Sequence, residues 1–336
     1  MSFKVLYRSG LLESEERKLD KIDAHIISAP LSTEEEIIAS AQDIDAVIVG
    51  AIEPYTRRVI ESLKKCKIIS RMGIGYNNID LAAATEFGIP VAYVPDASVE
   101  EVSDHALALI MCCARKILPI NRAIKRGAWQ KGRKDLLEMR KNISPLNEQT
   151  LGLIGLGKIG SSLCRKARAI GMKVIVYDPY IPFSTVQELG AKSVGFDNVL
   201  TESDFISLHA ALTNESQHLF GLMQFKKMKS TAYIINTSRG GLIKEDEMFF
   251  ALSKGYIAGA GLDVTDPEPP HPKNPLFQLE NVIVTGHMAF YSQSSARKLR
   301  ERTVEAVVTA LRGELPQTLA NPDVVKQNNF RLSKRN

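Results

Sequence analysis

The sequence predicts an α/β protein of two doubly wound parallel-sheet domains, a smaller one followed by a larger one. Three observations predict it. Strand-like apolar runs alternate with helical patterns almost from end to end. A glycine-rich turn joins a buried strand to a helix near the middle of the chain. The 336 residues also exceed what one hydrophobic core usually holds.

In the first hundred residues the β-rich runs are Phe3 to Tyr7, His25 to Ser28, Ala46 to Gly50, Lys67 to Arg71 and Val91 to Val94. Helical patterns lie between them. One runs from Ser32 to Ala41, with Ser32 and Glu35 in capping-box spacing. Others run from Thr56 to Lys65 and from Leu81 to Phe87, the last stopped by Gly88. The fourth strand leads into Met72-Gly73-Ile74-Gly75-Tyr76, a glycine-containing turn at a strand's carboxyl end, where open α/β sheets bind ligands. The N–H groups of Ile74 and Gly75 could hold a carboxylate there, although a plain turn has the same composition. Ser98 and Glu101 form a second capping pair, opening a long helix with a wide apolar face that runs to about Lys116. Arg126 to Gln149 is polar and irregular and holds the only tryptophan, Trp129.

The turn that organises the larger domain lies in Thr150 to Asp178. Leu151 to Ile154 is a strand, Gly155, Gly157 and Gly160 follow in G-x-G-x-x-G spacing, and Ser161 to Ala169 is helical. Gly171 stops the helix and Lys173 to Tyr177 is a second strand. This is the first βαβ unit of a Rossmann domain. Its glycines serve a tight turn, close approach of a pyrophosphate, and close helix packing. Asp178 follows the second strand, 18 residues past Gly160, where a carboxylate accepts the ribose hydroxyls of NAD and repels a 2′-phosphate. Further strands follow at Asp204 to His209, Thr231 to Ile235, Ile257 to Leu262 and Asn281 to Thr285, and the last helix runs from Ser292 to about Arg312. Residues 1–100, completed by a C-terminal segment 291–325, form the smaller, flavodoxin-like domain; 101–290 form the larger; 326–336 are a polar basic tail, read as a disordered terminus.

Composition narrows the function. The formal charge is only +5 and both signs are mixed along the chain, which argues against a nucleic-acid partner. Cys66, Cys112, Cys113 and Cys164 lack metal-site spacing and read as free thiols of a reducing compartment. With no signal-peptide pattern and no apolar run long enough to span a bilayer, the expected location is the cytoplasm, away from membranes. No metal is expected.

Three polar residues stand just past the carboxyl ends of successive strands: Arg239, Glu268 and His287. In a doubly wound sheet that edge faces the ligand crevice. Arg239 can fork two N–H groups onto the carboxylate and carbonyl of a 2-oxo acid. His287 can give its proton to the carbonyl oxygen and take it back in reverse. Glu268 beside it favours the imidazolium form. Asp263 is placed to hydrogen-bond the nicotinamide carboxamide. Each residue alone has an ordinary structural explanation; together, beside a dinucleotide fingerprint, they read as a site.

At these residues the chain resembles the D-isomer-specific 2-hydroxyacid dehydrogenases, over about Phe3 to Pro322. The matching motifs are GLGKIG from Gly155, NTSRGG from Asn236, LDVTDPEP from Leu262 and GHMAFYS from Gly286. The resemblance implies an NAD-dependent oxidoreductase with Arg239, Glu268 and His287 catalytic. It adds Lys158, Ile159, Ala210, Ala211, Ser216, Thr237 and Ser238 to Asp178 and Asp263 as cofactor contacts, with His209 at the end of a cofactor-domain strand. Ile74 and Gly75 become the substrate-carboxylate loop, with Tyr76, Phe290 and Tyr291 beside the substrate. A homodimer packed through the long helix and the polar arm is also implied. RMGIGYNNID and the HMAFYS stretch are most similar to the branch containing the C-terminal-binding-protein corepressors, so an NAD-responsive scaffold is one alternative function; phosphoglycerate dehydrogenase is another. The chain departs from the family in having Gly286 and Ala211 where proline is usual, and from the corepressors in having Phe290 for tryptophan.

Overall fold

The computed structural model describes residues 2–130, 134–141 and 143–332. The chain divides into two compact units, Met1–Ala97 with Ser292–Asn336, and Ser98–Tyr291.

In the first unit β1 (Phe3–Tyr7), α1 (Glu13–Asp20), β2 (Ala24–Ser28), α2 (Glu34–Ser40), β3 (Ala46–Val49), α3 (Arg57–Ser62), β4 (Ile68–Arg71), α4 (Leu81–Glu86) and β5 (Val91–Ala92) alternate. The strands form one parallel sheet in the order β2-β1-β3-β4-β5. One face buries Ile37, Val59, Ile60 and Ala83 from the helices against Leu6, Val47 and Ile69. The other is covered by the chain's final helix, whose Val304, Val307 and Leu311 meet Val5, Ile48 and Ile68. The central strands β3 and β4 are buried along their whole length because both faces are covered, whereas edge strand β2 is partly exposed.

Several local expectations shift here. The capping box of α2 uses Thr33 and Glu36, one residue later than Ser32 and Glu35, and Thr33 Oγ1 accepts from Glu36 N. The strand expected over Val91 to Val94 stops at Ala92. Helix α1 was not expected, because ESEERKLD is almost wholly polar and gives little apolar period. As far as Leu332 the C-terminal tail is not the disordered terminus expected: Arg331 donates to the carbonyls of Leu63, Lys64, Cys66 and Phe87, and Leu332 is buried. Lys334 and Arg335 lie outside the described residues, as do positions 131–133 and 142 of the polar arm.

The second unit begins with α5 (Val99–Ala114), α6 (Ile117–Lys125) and α7 (Lys134–Met139). Ser98 stands at the N-terminus of α5 without a side-chain cap, in place of the expected capping pair. Lys116 turns left-handed at φ +50° and separates α5 from α6. Then come β6 (Thr150–Ile154), α8 (Lys158–Ala169), β7 (Lys173–Tyr177), α9 (Phe183–Glu188), β8 (Lys192–Ser193), α10 (Phe196–Glu202), β9 (Phe205–Leu208), α11 (Leu222–Lys227), β10 (Tyr233–Asn236), α12 (Glu245–Ser253), β11 (Gly259–Leu262) and β12 (Val282–Val284). The last helix, α13 (Gln293–Leu311), belongs to the first unit. The seven parallel strands run β12-β11-β10-β9-β6-β7-β8, so the strand order reverses between β6 and β9. Helices α5, α8 and α9 bury Leu109, Ile110, Leu163 and Val186 on one face. Helices α10, α11 and α12 bury Leu200, Phe225 and Leu252 on the other. Among the described residues no helix is long and apolar enough to cross a membrane.

Candidate active site

The glycine-rich turn sits at the reversal between β6 and β9, where open α/β sheets bind ligands. Each glycine has a separate spatial reason. Gly155 has φ +91°, and a Cβ there would lie 2.8 Å from Ala210 N. A Cβ on Gly160 would lie 2.5 Å from the Gly155 carbonyl oxygen, so only glycine lets α8 seat against the turn. At Gly157 a Cβ would meet nothing within 4 Å. That position faces open space at the start of α8, whose first residues are Lys158 and Ile159. Free N–H groups and the positive dipole end there suit a pyrophosphate. Asp178 follows β7; its Oδ2 accepts from Leu156 N at 2.7 Å and its Oδ1 from Tyr180 N at 2.9 Å, which fixes the carboxylate beside the same turn.

Two buried polar atoms near this edge have no hydrogen-bond partner among the described residues, His209 Nδ1 and Thr237 Oγ1. His209 Nε2 meets Ser207 Oγ at 2.9 Å, and burial pushes the ring's pKa down to about 4, so it is neutral at physiological pH. Ser238 Oγ donates to the Leu208 carbonyl and Ser216 Oγ to the Ala211 carbonyl, which shapes the backbone after β9. An open glycine position, a helix N-terminus, a fixed carboxylate and orphaned buried polar atoms fit a dinucleotide.

The three residues expected to do chemistry come from loops after β10, β11 and β12 of this one unit. His287 Nδ1 and Glu268 Oε1 form a short hydrogen-bonded pair, each side chain about one-third exposed. Arg239 is held through its backbone: Asn236 Nδ2 donates to the Arg239 carbonyl at 2.8 Å. Its Nη1 donates to the Ser238 carbonyl at 2.6 Å. Burial lowers the guanidinium pKa and the nearby Glu268 carboxylate opposes that shift, so the cation sits half-buried beside an acid. Gly240 permits this approach, since a Cβ there would fall 2.0 Å from the Thr265 carbonyl oxygen, in the loop leading to Glu268.

Asp263 also braces the loop that carries His287. Its carboxylate is almost completely buried and accepts from Thr285 Oγ1 at 2.6 Å, Met288 N at 2.9 Å and Ala289 N at 2.9 Å. Its carbonyl accepts from His287 N at 2.5 Å. Three of the carboxylate's roughly four lone-pair sites are taken by this loop, so Asp263 anchors His287. The anchor has strain to hold: Gly286 and His287 are both left-handed, at φ +66° and +58°. For histidine that conformation costs about 1–3 kcal/mol. Two residues that hold the site were missed in the sequence. His105 Nε2 meets Thr285 Oγ1 at 2.9 Å, tying α5 to the anchor. Glu245 accepts from Asp266 N and Asn274 Nδ2, clamping both ends of the loop that carries Glu268. Neither carries a motif; both are spatial neighbours of motif residues.

Phe290 lies edge-on to His287 with centroids 6.2 Å apart, and Tyr291 edge-on to Phe290. Ile74, Gly75 and Tyr76 belong to the first unit, in the loop after β4, where Tyr76 packs edge-on against Tyr93.

Comparison with known proteins gives concordant matches. The profile of the NAD binding domain of D-isomer specific 2-hydroxyacid dehydrogenases matches residues 107–289. A glyoxylate reductase of Korarchaeum cryptofilum is 36% identical over 320 residues, covering 94% of this chain and 95% of that one. A D-3-phosphoglycerate dehydrogenase of Methanocaldococcus jannaschii is 38% identical over 96% of this chain, which spans only 60% of the longer relative. Among solved structures, D-lactate dehydrogenase from Aquifex aeolicus complexed with NAD and lactic acid superposes with a TM-score of 0.83 at 26% identity, covering 95% of this chain and 99% of that one.

Proposed function

The chain belongs to the D-isomer specific 2-hydroxyacid dehydrogenases, NAD-dependent oxidoreductases, and on that premise we propose that it reduces a 2-oxo acid to the D-2-hydroxy acid through Arg239, Glu268 and His287. The observation that carries the assignment of roles is the His287–Glu268 pair on a loop pinned by Asp263. Bound NADH supplies the hydride that reaches the carbonyl carbon. Arg239 presents a charged fork to the substrate carboxylate and carbonyl oxygen. His287 uses Nδ1 on Glu268, so Nε2 is the nitrogen left to give its proton to the carbonyl oxygen and to take it back in the oxidation. Glu268 holds the ring's tautomer and orientation. Gly157, Lys158 and Ile159 hold the pyrophosphate, Asp178 the adenosine ribose. Ile74 and Gly75 hold the substrate carboxylate, in line with the family resemblance. A panel of 2-oxo acids assayed with NADH, with chiral analysis of the product, tests the proposal; failure of every member to oxidise NADH, or an L-product, ends it.

Asp178→Ala is expected to raise the NADPH-to-NADH ratio of kcat/KM about tenfold, the equivalent of about 1.4 kcal/mol, because it removes a fixed carboxylate that repels a 2′-phosphate. An unchanged ratio would take Asp178 out of the site.

The assembly we read as a homodimer formed through α5 to α7. Support comes from Met111, Ile117, Trp129 and Leu137, large apolar side chains each more than a third exposed along this segment. Light scattering should give twice the chain mass, and Trp129→Glu should shift the equilibrium to monomer. A monomeric parent protein would refute the dimer.

A further inference from the structure

The first unit carries a charged pair that the proposed chemistry leaves unused. Its sheet order, β2-β1-β3-β4-β5, reverses between β1 and β3, and the carboxyl end of that crevice is where such sheets take their ligands. Arg8 follows β1 on one side and Glu53 follows β3 on the other. Glu53 is only 4% exposed, yet its Oε2 has no hydrogen-bond partner among the described residues. Its carboxyl lies over Gly50, where a Cβ would come within 2.7 Å of Oε2, so any side chain at position 50 would displace it. Arg8 Nη1 stands 4.0 Å from Glu53 Oε1. That is too far for a direct hydrogen bond, but one oxygen atom about 2.8 Å from each would bridge the gap.

The same turn is stitched to the proposed substrate loop. Asn78 Nδ2 donates to the carbonyls of Gly50 and Glu53 at 3.2 and 2.8 Å. Tyr55 N donates to the Asn78 carbonyl at 2.8 Å, and Met72 N to the Val49 carbonyl at 2.9 Å. Arg71 donates to the Met72 carbonyl, bracing the start of the loop. The positions of Ile74 and Gly75 are therefore set by the segment that sets Glu53.

We propose that Arg8 and Glu53 form a specificity site for a hydroxyl group on the side chain of the 2-oxo acid, with the hydroxyl accepting from Arg8 and donating to Glu53. This rests on the reading that the chain reduces 2-oxo acids held by the loop after β4. A buried carboxyl missing a donor favours a substrate that brings one and penalises the alkyl analogue that leaves it unmet. It also repels a phosphorylated side chain, which separates this chain's substrate from the one named for its phosphoglycerate dehydrogenase relatives.

The test compares kcat/KM with NADH for hydroxypyruvate, 2-oxobutanoate and 3-phosphohydroxypyruvate in the parent protein, E53Q and R8M. The parent should prefer hydroxypyruvate over 2-oxobutanoate by about 10²-fold and use the phosphorylated acid least. Each variant should bring the hydroxypyruvate preference down about tenfold, and E53Q should improve relative use of the phosphorylated acid. Arg8 is surface-exposed, so R8M reads out the site even if E53Q does not fold. A parent preference near one, a preference for the phosphorylated acid, or a preference unchanged in the variants overturns the proposal and points to a bridging water only. Turnover of none of the three nor of any other 2-oxo acid sinks the dehydrogenase reading itself, and this inference with it.

Discussion

Exchanging His287 for asparagine is expected to lower kcat for 2-oxo acid reduction by about 10²–10⁴-fold, the range a positioned general acid contributes. NADH affinity, read by fluorescence titration, should stay within about twofold. The split follows from how the residue is held. Its backbone is pinned independently of the ring: Asp263 receives His287 N on its carbonyl and Met288 N and Ala289 N on its carboxylate. A shortened amide side chain leaves those bonds in place, and asparagine tolerates the left-handed conformation at φ +58° better than most residues. What disappears is the proton that the ring would deliver and the partner that Glu268 orients. Glu268→Gln should lose less, since an amide can still accept from Nδ1. If H287N turns over within about threefold of the parent protein, proton transfer by this residue is excluded.

The features legible in the sequence were those that a few adjacent residues decide. Gly155, Gly157 and Gly160 occupy one turn between a strand and a helix; Gly155 and Gly160 meet the tight-turn and close-packing demands their spacing implied, and Gly157 opens onto space. The alternation of strands and helices was legible because strands buried on both faces must be continuously apolar. Arg239, Glu268 and His287 were legible as a group because each follows a strand of one parallel sheet, and parallel strands end on one edge. Features that depend on distant partners were not. The anchoring of the His287 loop by Asp263 was not legible, because the donors it receives lie about 25 positions away. Arg331 looks like part of a loose basic tail until the carbonyls after α3 and α4 are seen to receive it. The cap of α2 moved by one residue because Ser32, Thr33, Glu35 and Glu36 offer two equivalent boxes, and packing of Ile37 chooses between them. Glu53 could not be read at all, because a glutamate in a loop is ordinarily solvated.

Arg239→Gln is expected to reduce kcat/KM by about 10²–10⁴-fold, the combined loss of two charge-assisted hydrogen bonds at about 1.5–3 kcal/mol each. The guanidinium is suited to this work by its half-buried position: burial already lowers its pKa, which means the folded protein holds the cation at a cost that a substrate carboxylate would offset. Glutamine keeps much of the length and can still donate one bond, but carries no charge and no fork. Its backbone place is secured by Asn236 and by the close approach that Gly240 permits, so the substitution removes a ligand for substrate without moving the loop. Arg239→Lys separates charge from geometry. A lysine restores the charge as a single point, so if the planar fork matters it should recover no more than about a tenth of the lost kcat/KM. Most of the deficit should appear in kcat as well as KM, because a carbonyl oxygen gains charge as it is reduced and the fork grips it harder then. An R239Q protein with intact NADH binding and undiminished kcat would show that Arg239 touches neither the substrate carboxylate nor the reacting carbonyl.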